Sequence, residues 1–542
     1  NHPGEAGAPG NLQIRPCHAS HLLAISSAGN QPKLTDRMAP GVDFIKLACD
    51  ARERACRPAP SCSNLNAIRN PENEAEMMKS ICLAGLLAAA AALSAYPRPR
   101  EKARRPNVVI LFTDDQGTLD ANCFGSNDLR TPNIDRLAKT GVRFTAAYAH
   151  TVCCPSRAAL LTGRHPQRSG VNSWMQGDLK GSDGLNMALG EITLAETLKA
   201  AGYRTALFGK WHLGAHRDHG PMKQGFDEFF GIRDGFIDNY NHYFLHGGKG
   251  YHDLYEGTRE VTQKGDYFPE MVVDRSLEFI EKNRDRPFFL YLAFNIPHYP
   301  EQALKEHSSL YEKLPMPRRS YAAIVTTTDH YIGKVLDRLD KLDLRKDTIV
   351  IFQSDNGHST ERYAIRGDDH TSGYPKGHRY GANGGGGNTG KWIGNKGTFL
   401  EGGIRTPAII SYPARVPQGE ARDQVITVMD WYPTVLELCG IERPKLTLDG
   451  HSVLPIVRDA KTASKHGVLY FQWQRRWAVR QGEWKLIGTR GRDGKDKLSL
   501  HKLTGQKPER RNHLQDQAAA AIVERLHALY KAWKERVTPA SK

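Results

Sequence analysis

Cysteine is scarce in this chain and unevenly placed. Nine cysteines occur in 542 residues, and five of them lie at or before Cys82. Beyond residue 95 only Cys123, Cys153, Cys154 and Cys439 remain. Four cysteines at irregular spacing do not form a disulfide framework, so the fold must be held by a hydrophobic core. The side-by-side pair at 153 and 154 therefore needs its own explanation.

Long hydrophobic runs and an acidic excess are also lacking. The run Ile81–Leu93 is too short to span a bilayer comfortably, so we expect no stable membrane span. Lysine and arginine total 75 against 59 acidic residues, which gives a formal net charge of +16. A basic chain suits nucleic acid, an acidic membrane surface or an acidic substrate. The composition shows no nucleic-acid-binding module, and we expect no nucleic-acid partner.

The N-terminal part resembles no folded domain. Residues 77–95 combine Lys79, an apolar run and the small residues Ala92, Ser94 and Ala95, which is typical of a secretory signal peptide. We therefore expect export, to a periplasm or to the outside of the cell. Residues 1–76 are interpreted as translated upstream sequence outside the working protein. The alternative is an ordinary buried Ala/Leu helix at this place.

Between residues 105 and 450, apolar runs that end in polar residues alternate with amphipathic helices. NVVILFTDD (107–115), PFFLYLAFNIPH (287–298) and DTIVIFQSDNG (347–357) are typical of buried parallel strands. TPNIDRLAKTG (131–141) predicts a helix with a Thr N-cap, Pro at its first position and a Gly stop. We predict an α/β catalytic domain whose mainly parallel central sheet is flanked by helices.

The remaining residues, 451–542, predict a smaller C-terminal α+β domain. Short alternating runs such as VLYFQWQ and EWKLIGT indicate an antiparallel sheet, and QAAAAIVERLHALYKAWKERV (517–537) indicates a terminal amphipathic helix. Before this domain, residues 358–397 show no periodicity. We expect an ordered loop that lines a site, from which Arg362, His370 and Trp392 are candidates to reach a substrate.

Polar side chains follow the predicted strands where those strands end. Asp114 and Asp115 end the first strand, and Asp355 and Asn356 end a later one. Ligands bind at the carboxyl ends of strands in open α/β sheets. Three carboxylates and one amide oxygen converging there predict a site for Ca²⁺ or Mg²⁺.

The cysteine pair lies in HTVCCPSRAALLTG (150–163). Pro155 suits a first helical turn, so Cys153 and Cys154 are expected at a helix N-terminus, where the helix dipole and Arg157 favour an anion. A cysteine there is expected to be acidic and reactive. The residues alone leave open a cysteine nucleophile with a histidine base and a thiolate metal site. Zinc would need two further ligands that have no suitable spacing nearby.

These segments together resemble the type I sulfatase family, of the alkaline phosphatase-like superfamily. CCPSRAALLTG is similar to the signature C-x-P-S-R with a Thr-Gly ending, and the match places the key cysteine at Cys153. Five further family motifs occur in the family's order, one before this signature and four after it: FTDDQG (112–117), GKWHLG (209–214), NIPHYP (295–300), SDNG (354–357) and NKGTFLEGGIRTP (395–407). The resemblance extends over roughly residues 105–515.

The resemblance implies a sulfatase that hydrolyses sulfate monoesters to an alcohol and inorganic sulfate. Cys153 would be converted to formylglycine by a formylglycine-generating or sulfatase-maturing enzyme, and its hydrate would be the nucleophile. The implied calcium ligands, with magnesium as the second possibility, are Asp114, Asp115, residue 153, Asp355 and Asn356. The resemblance also implies the catalytic residues. Arg157 would stabilise the formylglycine hydrate, and Lys210 and Lys396 would bind the sulfate oxygens. His212 would be the base that takes a proton from the hydrate, and His298 the acid that protonates the leaving alcohol.

Two alternatives remain at this stage. A phosphonate or phosphodiester hydrolase of the same superfamily can use the same modified cysteine. An inactive protein that binds sulfated glycans is the alternative from another class, although no motif residue is missing. Sulfated carbohydrates are the expected substrates, with aryl sulfates as model substrates.

Overall fold

The computed structural model describes residues 105–174, 186–246 and 248–538, together with residues 76, 78–80, 83 and 84, which are helical. The chain divides into the units Asn1–Pro97 and Arg98–Lys542. The other residues of 1–76 and of the predicted signal peptide at 77–95 lie outside the described residues, so those interpretations stay predictions. No helix in the described part combines the length and the apolar character that a membrane crossing requires.

The unit Arg98–Lys542 is built from strands and helices that alternate through most of its length. Its strands are β1 (Asn107–Thr113), β2 (Val142–Phe144), β3 (Ala147–Tyr148), β4 (Arg204–Lys210), β5 (Glu228–Ile232), β6 (Tyr243–Phe244), β7 (Tyr251–His252), β8 (Tyr255–Glu256), β9 (Arg259–Glu260), β10 (Phe288–Ala293), β11 (Thr348–Ser354), β12 (Arg362–Ala364), β13 (Arg379–Asn383), β14 (Ala408–Ser411), β15 (Glu420–Arg422), β16 (Ile426–Thr427), β17 (Val468–Trp473), β18 (Arg476–Gln481), β19 (Trp484–Arg490) and β20 (Asp496–Lys502). Its α-helices are α1 (Pro132–Lys139), α2 (Cys153–Thr162), α3 (Leu194–Ala200), α4 (Phe268–Lys282), α5 (Lys305–Ser309), α6 (Arg318–Lys341), α7 (Glu401–Ile404), α8 (Trp431–Cys439), α9 (Leu454–Arg458) and α10 (Ala519–Val537).

A ten-stranded sheet forms the centre of this unit. Its strand order is β15-β2-β14-β11-β1-β10-β4-β5-β8-β9. The five strands from β11 to β5 in this order are parallel to one another, whereas β14, β8 and β9 pair antiparallel with their neighbours. The predicted α/β fold with a mainly parallel sheet is confirmed. The reason lies in the sequence, since the central strands are continuous apolar runs that are buried on both faces.

Helices cover both faces of the sheet. Val108, Ile110 and Phe112 of β1 belong to a core cluster that includes apolar side chains of α2, α3 and α8. Val109 and Leu111 belong to a second cluster with side chains of α1, α4 and α6. Because successive strand residues point to opposite faces, one apolar run supplies both layers of the core.

The C-terminal residues form the predicted antiparallel sheet and helix. Strands β17 to β20 pair in sequential antiparallel order. Trp477 and Leu486 of this sheet cluster with Leu526, Tyr530 and Trp533 of α10. A further buried cluster joins residues of α7 to this sheet, and the domain boundary at 450 and 451 stays a prediction.

Two sequence-based expectations differ from the structure. The sequence VRFTAAYA (142–149) also predicts one strand, but this segment is divided, because β2 pairs in the large sheet whereas β3 pairs with β16. The segment 358–397, expected to be a loop, contains the hairpin of β12 and β13. Its two strands are short and their register is irregular, so they leave no period-2 pattern in the sequence.

Candidate active site

The carboxyl ends of four adjacent parallel strands form one polar edge of the large sheet. Asp114 follows β1, Asp355 follows β11, His298 lies beyond β10 and Lys210 is the last residue of β4. Since β1 pairs with both β10 and β11, and β10 pairs with β4, these side chains project from neighbouring positions. The prediction that ligand-binding residues gather at this edge rests on the same topology.

Three carboxylates meet at this edge. One ligand atom from each of Asp114, Asp115, Asp355 and Cys153 lies within 4.8 Å of the others. Asp115 has a left-handed backbone with φ of 63°, and its N–H donates to Oδ1 of Asp355 at 3.2 Å. The turn that follows β1 is therefore bonded to the end of β11, and this contact helps hold the carboxylates together.

Asn356 completes an oxygen-rich set. Its Nδ2 donates to Oδ1 of Asp115 at 2.6 Å, whereas its Oδ1 is buried and has no hydrogen-bond partner. A buried carbonyl oxygen without a donor is costly unless something electropositive faces it. Carboxylate and amide oxygens are the ligands that Ca²⁺ and Mg²⁺ prefer. The residues present therefore fit a hard divalent cation.

Three cations surround the carboxylates. Lys210 Nζ donates to Oδ2 of Asp114 at 2.5 Å, and Lys396 Nζ donates to Oδ2 of Asp115 at 2.9 Å. Arg157, which is completely buried, donates to Oδ2 of Asp355 at 2.8 Å. Burial and the charge of Asp114 raise the pKa of Asp355 to about 7. The site thus combines high negative and positive charge in one buried volume.

The cysteine pair begins helix α2, as predicted. Cys153 Sγ lies 3.4 Å from Oδ1 of Asp114, whereas Cys154 Sγ donates to the carbonyl oxygen of Trp174 at 2.9 Å. Only Cys153 faces the carboxylates. The expectation that its thiol is acidic is wrong, since burial and Asp114 raise the pKa of Cys153 well above its usual value. Desolvation and a nearby carboxylate outweigh the helix N-terminus.

Two histidines lie at the edge of this cluster. His298 Nε2 lies 3.5 Å from Oδ2 of Asp115, and His212 Nε2 lies 3.7 Å from Oδ1 of Asp234. Both ring nitrogens of His212 lack hydrogen-bond partners. Burial and neighbouring cations lower both histidine pKa values, that of His298 to about 3. Both imidazoles are therefore neutral at pH 7.

A cavity of about 320 Å³ opens beside this cluster. Cys153, His212, His298 and Lys396 line its polar end. The sequence did not single out the other lining residues, because most of them, unlike Tyr299 of NIPHYP, come from separate segments that carry no local motif. The aromatic and acidic ones are Trp174, Asp234, Phe236, Phe244, Tyr299, Glu361, Tyr363 and Trp473. The cavity is thus suited to a ring-shaped group attached to an anion.

All ten residues predicted for the site lie at this edge of the sheet or on the cavity wall. Of the loop residues proposed to reach a substrate, Arg362 lines a neighbouring groove. His370 is buried and its Nδ1 contacts Ser372 Oγ at 2.7 Å. Trp392 lies under the guanidinium of Arg405, and neither His370 nor Trp392 lines the cavity.

Comparison with known protein families shows to which family the chain belongs. A family model described as Sulfatase matches residues 106–441, which is more than half of the chain. The chain belongs to the sulfatase family. A second model, described as N-sulphoglucosamine sulphohydrolase, C-terminal, matches residues 391–536. As a family member the protein is a sulfuric ester hydrolase.

Two curated relatives extend over most of this sulfatase. It is 30% identical to human steryl-sulfatase over 445 residues, which covers 68% of this chain and 72% of the relative. It is 32% identical to the N-acetylgalactosamine-6-sulfatase of Rattus norvegicus over 422 residues, which covers 74% and 72% respectively. The two relatives are named for different substrates, so sequence identity at this level defines the reaction and not the substrate.

Solved structures give the same fold. The structure of Ps i-CgsB is 28% identical, with a TM-score of 0.67 and coverage of 81% of this chain and 94% of that one. A phosphonate monoester hydrolase of Agrobacterium radiobacter also matches, at 16% identity and a TM-score of 0.58, over 80% and 96% of the chains. The second similarity shows a shared fold alone. The sulfatase fold is therefore also that of an enzyme acting on phosphorus esters.

Proposed function

We propose that this sulfatase hydrolyses sulfate monoesters of sugars, with residue 153 as formylglycine and with a bound calcium ion. The observation that carries the proposal is the position of Cys153 Sγ, 3.4 Å from Asp114 and on the wall of the cavity. A nucleophile at that point is accessible to a substrate in the cavity. It is also beside the oxygen-rich cluster and its cations.

The metal would be held by Asp114, Asp115, Asp355 and Asn356, with the modified residue 153 as a further ligand. The orphaned Oδ1 of Asn356 supports this assignment. When bound, the ion would supply positive charge that polarises the sulfate group and favours ionisation of the nucleophile. Both calcium and magnesium prefer oxygen ligands. Calcium is our first choice and magnesium the second, as the family resemblance implies.

The thiol of Cys153 is poorly suited to act directly, because burial and Asp114 raise its pKa. The proposed modification would replace that thiol. A formylglycine hydrate would supply two hydroxyl groups, one to attack sulfur and one to release inorganic sulfate afterwards. Arg157 lies one turn further along α2 and its guanidinium would orient that hydrate. A maturing enzyme must make the aldehyde, and Pro155 and Arg157 match the positions such an enzyme reads.

Lys210 and Lys396 would hold the sulfate oxygens. Lys210 is buried and Lys396 is mostly buried, and their ammonium groups lie 2.5 and 2.9 Å from the carboxylates of Asp114 and Asp115. Each ammonium carries three N–H donors, so donors remain for a substrate. Negative charge grows on the leaving oxygen as its bond to sulfur breaks, and fixed cations stabilise that change.

The two histidines would move protons. His212 is neutral and both its ring nitrogens are unpartnered, which suits a base that accepts the proton of the second hydroxyl of residue 153. His298 would protonate the leaving alcohol. It is neutral in the free protein, and an anionic sulfate ester beside it would favour the protonated form.

A sulfated carbohydrate is the substrate class that we propose. Aromatic side chains cover much of the cavity wall, and such surfaces pack against the apolar faces of sugar rings. One relative is named for N-acetylgalactosamine 6-sulfate, and a 26% identical structure is described in complex with k-i-k-neocarrahexaose. We also propose that the protein is exported, because its predicted signal peptide has the required pattern.

Two measurements test this proposal. Mass spectrometry of the peptide that contains residue 153 should show an aldehyde in place of the thiol. Steady-state assays on paired 4-nitrophenyl sulfate, phosphate and phenylphosphonate esters should show the highest kcat/KM for the sulfate. A dominant phosphonate rate would assign the protein to phosphonate hydrolysis instead. Binding of sulfated glycans without any turnover would indicate an inactive binding protein.

A further inference from the structure

A second concave surface adjoins the cavity. It is formed largely by the hairpin of β12 and β13, and we call it the hairpin groove. Its volume is about 500 Å³, and its lining residues are Met316, Pro317, Arg362, Tyr363, Ala364, Arg379, Ala382 and Asn383. Tyr363 lines both this groove and the cavity beside Cys153. A chain of linked sugar rings in the cavity could therefore continue past Tyr363 into the groove.

The hairpin brings two arginines to the groove. Arg362 pairs with Asn383 and Ala364 pairs with Arg379, with a register shift between these two pairs. Arg362 and Arg379 both line the groove. The lining contains no acidic residue. The groove is therefore positively charged.

Both arginines are exposed and available for a ligand. Within residues 105–174, 186–246 and 248–538, neither guanidinium forms an ion pair with a carboxylate. The side chain of Arg362 lies over Gly384, where a Cβ atom would come within 2.1 Å of its Nε. Gly384 has a φ of +88° and leaves the space that this arginine occupies. Arginine in such a position can bind a sulfate or a carboxylate through two N–H donors.

The cavity itself has the opposite character beyond its sulfate-binding end. Asp234 and Glu361 line it. Lys396 is already 2.9 Å from Asp115 and 3.7 Å from Glu361. A second anionic group on the sugar in the cavity would meet these carboxylates. An anionic group on the neighbouring sugar would instead meet the arginines of the groove.

We propose that the hairpin groove binds a second anionic group, a sulfate or a carboxylate, on the sugar next to the one that is hydrolysed. This inference rests on the proposed function, because it names the form of the glycan that the same site takes. The enzyme then prefers oligosaccharides with repeated anionic groups to a single sulfated sugar. Arg362 and Arg379 are specificity-determining residues, at a distance from the reacting atoms.

Binding to a protein that cannot turn over tests the groove directly. Calorimetric titrations use Cys153→Ala protein, alone and combined with Arg362→Ala/Arg379→Ala. The ligands are galactose 6-sulfate, a chondroitin 6-sulfate tetrasaccharide with carboxylates, and an ι-carrageenan tetrasaccharide with sulfates only. The matched control is Arg492→Ala, which removes an exposed arginine between β19 and β20 that lines neither the groove nor the cavity.

We expect the double substitution to raise the Kd of at least one tetrasaccharide by about tenfold or more. The Kd of galactose 6-sulfate should stay unchanged, and Arg492→Ala should change neither. The tetrasaccharide that is affected identifies carboxylate or sulfate as the preferred group. Failure of both tetrasaccharides to bind, or an unchanged Kd for both, overturns the proposal, as does an equal effect of Arg492→Ala.

The proposed function is tested in a separate activity assay, with protein that retains Cys153. There the KM for 4-nitrophenyl sulfate should be the same with and without the two arginine substitutions. Absence of turnover in the wild-type protein counts against the proposed function, whereas the titrations still decide the groove. A parallel rise in the KM for 4-nitrophenyl sulfate would show that the arginines act on the cavity itself, and it would overturn the assignment of a separate subsite.

Discussion

Cys153 Sγ lies 3.4 Å from Oδ1 of Asp114, while the Sγ of its neighbour Cys154 donates to the backbone of Trp174. Two adjacent and equally buried thiols are thus directed to different surroundings by the first turn of one helix. Residue 153 faces the carboxylate cluster and the cavity. Residue 154 faces the chain that follows helix α2. Because their surroundings differ, we expect substitution by alanine to have different effects at residues 153 and 154.

Cys153→Ala should abolish sulfate release, lowering kcat by roughly 10⁴-fold or more, because it removes the proposed nucleophile. Cys154→Ala is the matched control. It should keep the activity and cost about 1 kcal/mol of stability, since it removes one buried thiol and its hydrogen bond. Steady-state kinetics and urea unfolding measure both. Full activity in Cys153→Ala would refute the proposed mechanism.

Asp355→Asn should reduce the metal content of the purified protein from about one ion per chain to well below that. The substitution replaces one of the three carboxylate ligands by a neutral amide and removes the 2.8 Å ion pair with Arg157. Asp329→Asn is a suitable control, because Asp329 is also buried but accepts from the backbone N–H groups at the start of α1. Elemental analysis gives the ion and its amount. Equal metal content in both variants would argue against the cluster as the metal site.

His298→Ala should affect substrates according to their leaving groups. For a sugar sulfate, whose alcohol needs a proton to leave, kcat/KM should fall by about 100-fold or more. For 4-nitrophenyl sulfate, whose phenol leaves as an anion, the loss should be much smaller. His246→Ala is the control, since His246 lines the cavity but packs on Trp174 and Tyr363. An equal loss on both substrates would exclude His298 as the acid.

Acid should destabilise the fold through a buried histidine outside the active site. Burial lowers the pKa of His165 to about 4 from an ordinary value of 6.5. In the unfolded state His165 therefore binds a proton below about pH 6.5, whereas in the folded state it does so only below about pH 4. Stability falls as pH drops through this window, by about 2 kcal/mol between pH 7 and pH 5.

His165→Phe should remove that part of the pH dependence, because phenylalanine keeps the ring contacts with Tyr470 and Trp533 and does not titrate. Urea midpoints at pH 7, 6 and 5 make the comparison. An unchanged slope in His165→Phe would contradict the assigned titration.

Lys485→Met should destabilise the protein by about 3–5 kcal/mol, because it removes the cation that two buried carboxylates share, and only Glu401 keeps another, Arg405 at 3.0 Å. Lys485 Nζ donates to Glu401 at 2.7 Å and to Glu509 at 2.8 Å, and all three side chains are buried. Lys502→Met on the adjacent strand should change stability by about 0.5 kcal/mol or less. Thermal and urea unfolding measure both. Equal effects would show that the buried pairing contributes little.

Some features of the site could be predicted from local sequence. The carboxylates at 114, 115 and 355 follow apolar runs that are typical of buried parallel strands, and the carboxyl ends of parallel strands meet at one edge of a sheet. The helix after Val152 begins where Pro155 predicts it. These features depend on residues that are close in sequence, so periodicity and motif spacing were sufficient to find them.

Other features depend on contacts between distant segments. Trp473 comes from the C-terminal sheet, and Arg379 lines the same groove as Arg362 only because an irregular hairpin forms in a segment without periodicity. The acidity expected for Cys153 was wrong for the same reason, since it counted a helix terminus and omitted burial and Asp114. The sequence by itself determined the fold class, the family and most of the residues that gather at this edge of the sheet. Only the tertiary structure decided what surrounds them, because desolvation, charge pairing and cavity walls arise from residues far apart in the chain.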